Sequence, residues 1–115
     1  MTEGDVVLTP LPQADGEAKP RPAILLRQVP PFGDWLVCGV STHLHHEVVG
    51  FDDLIEPSQA DFAGSGLKAP SLIRLGFLAV LPSKALVGVI GSISPERHGR
   101  ILQRLAAFLQ SPRSA

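Results

Sequence analysis

Three groups of polar side chains stand where apolar segments of the chain begin, break or end. Arg21 lies between two prolines in "AKPRPAILL", and these prolines hold the local backbone extended. Arg74 interrupts the apolar run "SLIRLGFL", and Ser41 opens the polar triplet "STH". A guanidinium is costly to bury without a partner, so each arginine serves either an ion pair at a sheet edge or interface, or a reaction site. The residue types alone leave both interpretations open.

A histidine cluster in "THLHHE" raises the question of a metal site. On a strand, His43 and His45 would share a face, but no second pair of metal ligands lies at a recognisable spacing, and His98 is far along the chain. The sequence therefore favours a polar loop or strand end, and we expect no metal. His43 stays a candidate hydrogen-bonding or acid–base group at the rim of a reaction site.

Two further segments have a mainly structural interpretation. The stretch "GVIGSISPERHG" resembles a phosphate loop, but it lacks both G-x-G-x-x-G and the Walker lysine, and too few residues follow Gly91 for a βαβ unit. Its glycines are those expected in a tightly curved strand. In "FDDLIE", Asp52 and Asp53 would point to opposite faces of a strand, so a solvated sheet edge is expected.

Length and composition predict one domain over residues 1–115 that needs no disulfide to fold. Cys38, the single cysteine, lies in the apolar run "WLVCGV" and is expected to be a small core residue in a reducing compartment. The formal net charge is −1, so a local basic patch would have to hold any polyanionic partner. The N-terminus is acidic where a signal peptide is basic, and no apolar run is long enough to cross a bilayer. We therefore expect a cytoplasmic protein with no membrane contact.

Eleven prolines and eleven glycines divide the chain into short segments rich in Val, Ile and Leu, which predicts a β-rich domain. The predicted strands are residues 5–11, 23–29, 35–42, 47–51, 71–81 and 86–93. A mobile loop is expected at residues 12–22, because turn residues and charge are concentrated there. A short helical turn is expected within residues 57–66.

The sequence after residue 93 changes to a helical period. Ser94 is the expected N-cap, Pro95 takes the first helical position, and Glu96 lies in the first turn. The apolar residues expected on one face of this helix are Ile101, Leu102, Leu105, Phe108 and Leu109. Residues 111–115 are expected to be frayed. Short strands followed by a single helix predict a mainly β fold, in which a small bent sheet closes into a partial barrel.

Five segments occur in an order that is typical of one protein family. They are "GDVVLTPLP", "RPAILL", "VCGVST", "GLKAPSLIR" and "LVGVIGSISPERHGRILQRLAAFL", and together they extend from Gly4 to Leu109. In this order the chain resembles the MazF/PemK family of toxin endoribonucleases from bacterial toxin–antitoxin pairs. The resemblance implies an SH3-like barrel with a C-terminal helix, usually a homodimer. It also implies cleavage of single-stranded RNA at short preferred sequences without metal or another cofactor.

The resemblance further assigns residues of the RNA site by their position in these segments. It implies that Arg21, Ser41 and Arg74 are the catalytic residues. The residues expected to bind RNA or to support the site are Lys19, Thr42, His43, Lys68 and Ser71. In some relatives an acidic residue lies two positions after the basic residue of the fifth strand, where this chain has Gly76.

The implied reaction starts from the 2′-OH of the RNA itself and leaves a 2′,3′-cyclic phosphate. Two fixed arginines would stabilise the charge that develops on the phosphate, and a hydroxyl of Ser41 or Thr42 would orient a phosphate oxygen. Because an arginine is a poor proton acceptor at neutral pH, His43 is the expected general base.

The protein partner that the resemblance implies is a cognate antitoxin with a disordered tail. A homodimer is also expected from the sequence, since 44% of the residues are apolar and a barrel this small cannot easily hide them all. One other interpretation stays open, in which the same barrel binds a protein tail or nucleic acid without cutting it.

Overall fold

Six antiparallel strands form one curled sheet, followed by a C-terminal helix, in the part of the chain that the computed structural model describes, residues 1–10 and 19–113. The strands are β1 (Asp5–Thr9), β2 (Arg21–Val29), β3 (Asp34–Ser41), β4 (Asp53–Ile55), β5 (Ser71–Leu81) and β6 (Gly88–Ser92), and the helix is α1 (Pro95–Gln110). Short 3₁₀ turns lie at Leu44–His46, Ala63–Ser65 and Ser83–Ala85. The strand order across the sheet is β4-β5-β3-β2-β1-β6. The predicted partial barrel with a terminal helix is confirmed.

The ends of several strands differ from the prediction. Strand β2 begins at Arg21 instead of residue 23, because Arg21 pairs with Thr9 and Pro22 pairs with Leu8 on β1. The helical turn expected within residues 57–66 is confirmed at Ala63–Ser65. Most of the loop predicted at 12–22, and the end of the tail predicted to be frayed at 111–115, lie outside the described residues.

The strand predicted at residues 47–51 is wrong, and a turn occupies this segment. The Val48 N–H donates to Asp52 Oδ2 at 2.9 Å, and the Asp52 N–H donates back to the Val48 carbonyl at 2.9 Å. These local bonds satisfy backbone groups that would otherwise pair with a neighbouring strand. The pairing with β5 therefore starts only at Asp53, opposite Ile73.

Buried side chains pack on both faces of the sheet. One cluster includes helix residues and consists of Val6, Ile24, Leu26, Cys38, Ile55, Ile73, Leu75, Ile93, Ile101 and Leu105. The second consists of Val7, Ala23, Leu25, Trp35, Val37 and Leu86. Successive side chains on a strand point to opposite faces, so adjacent residues such as Ile24 and Leu25 join different clusters. Cys38 is fully buried as predicted, and burial raises the pKa of its thiol to about 12.

The helix begins at the predicted residue but buries less of its apolar face than expected. The Arg97 N–H donates to the Ser94 hydroxyl at 3.1 Å, which confirms the N-cap. Ile101 and Leu105 are buried, whereas Phe108 is 59% exposed. The last turn lies beside the 48–51 turn, where the Phe108 and Phe51 ring centroids are 4.9 Å apart. No helix of the described residues is long and apolar enough to span a membrane.

The acidic pair predicted to be a solvated edge is buried, so that prediction is wrong. Asp53 accepts hydrogen bonds from three helix arginines, Arg97 at 2.7 Å, Arg104 at 2.9 Å and Arg100 at 3.0 Å. The spacing of these arginines places them on one side of the helix, where all three reach β4. Burial opposes ionisation of Asp53, but the hydrogen bonds from Arg100 and Arg97 outweigh it and lower the pKa of this carboxyl. This ion-pair cluster attaches α1 to the sheet.

Candidate functional site

A groove of about 990 Å³ lies at one end of the sheet. Because the strands are antiparallel, the start of β2, the end of β3 and the start of β5 meet at this end. Seven of the eight residues predicted from the sequence line the groove: Arg21, Ser41, Thr42, His43, Lys68, Ser71 and Arg74. Lys19 is exposed two residues before β2 and is not among the lining residues.

The strand register brings the two arginines to the same end of the sheet. Gly39 on β3 pairs with Ala23 on β2 and with Arg74 on β5. Continuing the β2–β3 register by two residues places Arg21 beside Ser41. The β3–β5 register shifts just before this point, since Cys38 pairs with Leu78 and Gly39 pairs with Arg74. Residues 75–77 therefore bulge from the ladder directly after Arg74.

Gly39 keeps the floor of the groove open next to Arg74. A Cβ at this position would lie 3.3 Å from Cγ of Phe77, which is closer than an ordinary van der Waals contact. The missing side chain lets the Phe77 ring pack over β3 and line the groove.

The Ser41 hydroxyl holds the turn that follows β3. Its Oγ accepts a hydrogen bond from the His43 N–H at 3.0 Å, and the Leu44 N–H donates to the Thr42 carbonyl at 3.0 Å. Such a serine turn directs the chain out of the strand and into the 3₁₀ turn Leu44–His46. Because Oγ is the acceptor in this bond, the hydroxyl hydrogen of Ser41 remains available to donate into the groove.

The histidine cluster is an exposed polar turn, as predicted, but the face it presents differs from the expected one. His43 and His46 line the groove with ring centroids 5.4 Å apart, and His45 is not among the lining residues. In a 3₁₀ turn, residues three positions apart share a side, as His43 and His46 do. In the strand considered from the sequence, residues two positions apart, His43 and His45, would have shared a face. His46 was therefore missed, although it belongs to the same visible cluster.

The electrostatic surroundings of His46 favour its neutral form. Loss of solvation, followed by electrostatic repulsion from the neighbouring His45, His43 and Arg74 side chains, lowers the pKa of His46 below its usual value. A neutral imidazole can accept a proton, so this side chain has the protonation state that a general base requires.

One wall of the groove is formed by the segment that leads from the Ala63–Ser65 turn into β5. Gly66 has a φ of +76°, and a Cβ there would overlap the Ile90 carbonyl on β6. A Cβ at Gly91 would likewise overlap the backbone of Ser65. The wall therefore rests on β6 by direct backbone contact, and it presents Lys68 to the groove. The Ser71 hydroxyl donates to the Ala69 carbonyl at 2.7 Å and closes the turn into β5.

The groove is suited to an anion. Its side chains include Arg21, Arg74 and Lys68, and no Asp or Glu is among its lining residues within the described chain. Such a concentration of positive charge attracts phosphate even though the formal net charge of the chain is −1. Gly76, where the resemblance places an acid in some relatives, does not line the groove.

A match over nearly the whole chain identifies the protein family. A family model described as the PemK-like, MazF-like toxin of type II toxin–antitoxin systems matches residues 2–109. The chain therefore belongs to the PemK-like, MazF-like toxin family, and the predicted family is confirmed.

Two solved structures share the fold. The Mycobacterium tuberculosis toxin MazF-mt6 superposes with a TM-score of 0.67 at 18% identity, over 95% of this chain and 99% of that chain. An endoribonuclease in complex with its cognate antitoxin, from a mycobacterial species, superposes with a TM-score of 0.66 at 14% identity, over 99% of both chains. Comparison with curated protein sequences gives no match.

Proposed function

We propose that this chain is a toxin endoribonuclease that cleaves single-stranded RNA and is neutralised by a cognate antitoxin. The observation that carries this proposal is the cationic groove in which Arg21, Ser41 and Arg74 meet at one end of the sheet. Membership of the toxin family supports it, as does the similar structure that is an endoribonuclease bound to its antitoxin.

The cleavage step needs only groups that the RNA and the groove supply. The RNA 2′-oxygen attacks the adjacent phosphorus, the bond from phosphorus to the 5′-oxygen breaks, and a 2′,3′-cyclic phosphate and a 5′-hydroxyl result. The guanidinium groups of Arg21 and Arg74 stabilise the negative charge that builds up on the phosphoryl oxygens. The Ser41 hydroxyl, held in its turn, donates to one of these oxygens.

Proton transfer in this reaction falls to an imidazole at the groove rim. The neutral ring of His46 takes the proton from the 2′-OH, since its lowered pKa favours the unprotonated form. The proton that His46 has taken is then available to the leaving 5′-oxygen, and His43, the base proposed from the sequence, lies next to His46 at the groove rim. No metal ion takes part in this scheme.

Binding of a single strand uses the remaining polar and aromatic side chains of the groove. Lys68 contacts the phosphate backbone from the wall, and Lys19 extends this charge just outside the groove. The Phe77 ring offers a surface on which a base stacks. Thr42 adds a hydroxyl group along the same path, and Ser71 supports the groove through its bond to Ala69.

The antitoxin acts by covering this groove with an acidic, disordered tail that competes with RNA for the same arginines. The test is the affinity of the protein for an uncleavable RNA in the presence of the antitoxin. Simultaneous binding of both without mutual loss of affinity contradicts the blocking mechanism.

The activity is tested with purified protein, a single-stranded RNA substrate and a chelator. We expect cleavage in the chelator and products that carry 2′,3′-cyclic phosphate ends. A requirement for added metal contradicts the proposed chemistry. RNA binding without any turnover, at an excess of protein over RNA, supports instead the interpretation of the barrel as a binding module.

A further inference from the structure

A buried carboxylate binds the backbone close to two residues that line the groove. Asp52 is only 5% exposed, and it precedes β4. Its two carboxylate oxygens accept hydrogen bonds from two backbone N–H groups that belong to different parts of the chain. Oδ1 accepts from the Leu75 N–H at 3.3 Å, and Oδ2 accepts from the Val48 N–H at 2.9 Å.

The first of these bonds fixes the strand that carries Arg74. The β4–β5 ladder ends at the pair Asp53 and Ile73, and the β3–β5 register shifts between Arg74 and Leu78. Leu75 therefore lies in a stretch of β5 where the strand ladders do not hold the backbone. The Asp52 carboxylate takes the Leu75 N–H at this point, one residue after Arg74. The direction of the Arg74 side chain depends on this backbone position.

The second bond fixes the turn that directly follows the histidines. Val48 follows His46 by two residues, and the Asp52 N–H also donates to the Val48 carbonyl, so the segment 48–52 forms a closed turn. From the helix, Arg104 donates to the Asp52 carbonyl at 2.9 Å and holds the turn in place. Asp52 thus connects the backbone beside Arg74 with the backbone beside His46.

From these contacts we infer that Asp52 is a positioning residue, which holds Arg74 and His46 in a fixed mutual arrangement for RNA cleavage. The inference rests on the proposed function. Asp52 is not itself a proton acceptor in the reaction, because both of its oxygens are engaged by backbone N–H groups and it does not line the groove.

A positioning role is distinguishable from a general contribution to stability, because the neighbouring Asp53 offers a matched control. Both carboxyls are buried, at 5% and 4% exposure, and both stabilise the same corner of the fold. Asp53 binds the helix arginines, whereas Asp52 binds the backbone next to the two groove residues. Loss of Asp53 should therefore lower stability at least as much as loss of Asp52, but without disturbing Arg74.

The experiment compares Asp52→Asn with the control Asp53→Asn in the full chain. If Asp53→Asn does not fold, Arg100→Gln, which removes one partner of Asp53, serves as the control. In Asp52→Asn one N–H loses its acceptor while the side-chain shape is kept. We expect the single-turnover rate of RNA cleavage to fall about 10- to 100-fold, the scale of a small misalignment of reacting groups. Affinity for an uncleavable 2′-deoxy substrate should change less than about threefold. If Asp52→Asn does not fold, Asp52→Glu, which keeps the charge but shifts the oxygens, takes its place.

A second readout does not depend on cleavage. Amide hydrogen exchange should be faster at Val48 and Leu75 in Asp52→Asn, and the Arg74 side-chain N–H resonance should shift, whereas neither should change in the control. Cleavage and exchange equal to wild type in Asp52→Asn overturn the inference, and so does an equal loss of cleavage in the control. If the wild-type protein cleaves no RNA, the proposed function fails, and the exchange and resonance data alone decide whether Asp52 positions Arg74.

Discussion

Arg74 on β5 lies directly opposite Gly39 on β3, a residue without a side chain. The Phe77 ring packs over the position instead. The position of the Phe77 ring in the groove thus depends on the absence of a methyl group at the residue that pairs with Arg74.

A methyl group at Gly39 should lower RNA cleavage more than it lowers the stability of the fold. In Gly39→Ala the new Cβ lies 3.3 Å from Phe77 Cγ, so the ring, which lines the groove, must move by a few tenths of an ångström. We expect RNA cleavage to fall about tenfold, a modest loss for a displaced groove side chain. Gly88→Ala is the control, because nothing lies within 4 Å of a Cβ there. Equal activity of the two variants would show that the Gly39 space is unimportant.

The two groove arginines should act on the transition state more than on binding. Alanine at Arg21 or Arg74 is expected to lower single-turnover cleavage by about 100- to 1000-fold, the scale of losing one preorganised charge donor. Arg21→Lys keeps the charge but loses the planar fork, so it should bind RNA nearly normally and cleave it poorly. Arg27→Lys is the matched control on the same strand, since Arg27 is largely exposed and pairs with Glu3 at 3.2 Å. A loss that disappears at saturating RNA would assign the arginines to backbone binding.

The pH profile of cleavage should report the neutral imidazole of His46. A base works only when unprotonated, so the rate rises with pH through its pKa and then reaches a plateau. Because the pKa of His46 is lowered, this rise should lie below the usual histidine value of about 6.5, with the plateau already reached at neutral pH. His46→Gln should remove the rise and slow cleavage about 100-fold. His45→Gln, in the same turn but outside the groove, should keep the rise but move it toward higher pH, because His45 is one of the groups that lower the pKa of His46. An unaltered profile in His46→Gln would exclude the assigned role.

Stability at acid pH should depend on Asp53. Its pKa is lower in the folded than in the unfolded chain, so its contribution is complete above the unfolded value of about 3.9 and is lost as the pH falls through the lower folded value. We expect Asp53→Asn to lower the free energy of unfolding at pH 7 by about 3 kcal/mol, since buried Arg97 loses one of its two carboxylate partners and keeps only Asp61. The variant should also show a weaker dependence of stability on pH below 5. Denaturant titration at several pH values measures both, with exposed Glu47→Gln as the control.

A homodimer in solution is expected because large apolar side chains are exposed in several places. Val49 is 86% exposed, Leu109 69%, Val87 64%, and Val80 55%. A two-fold contact would cover part of this surface. Sedimentation at low micromolar concentration should show a dimer, and a monomer at that concentration would contradict the expectation.

The sequence predicted the strands and the helix well where the signal was local. Ser94 and Pro95 define the start of α1 through capping chemistry within one turn, and short apolar runs define most strands. The assignment of Arg21 and Arg74 to one groove came from the family resemblance, and antiparallel pairing is the reason that the strand ends carrying them meet.

Features that depend on distant contacts could not be predicted. Nothing near Asp53 in the sequence indicates three arginine partners more than forty residues later, although the helical spacing of the arginines was visible. His46 enters the groove because its segment forms a 3₁₀ turn, and the chain that follows this turn is held by the carboxylate of Asp52. Phe108 was expected on the core-facing side of α1, but it is 59% exposed. How far the sheet extends beneath the helix is a property of the assembled fold, which the helix sequence does not contain.

The backbone contact between the groove wall and β6 has a consequence for genetics. At Gly66 and Gly91 any side chain would meet main-chain atoms, which cannot rotate aside as a flexible side chain can. Selection for survivors that tolerate expression of the chain should therefore recover substitutions at these two glycines as readily as at the arginines. A map of inactivating mutations would then mark two positions that carry no chemistry, whose only role is to let two segments of chain lie in contact.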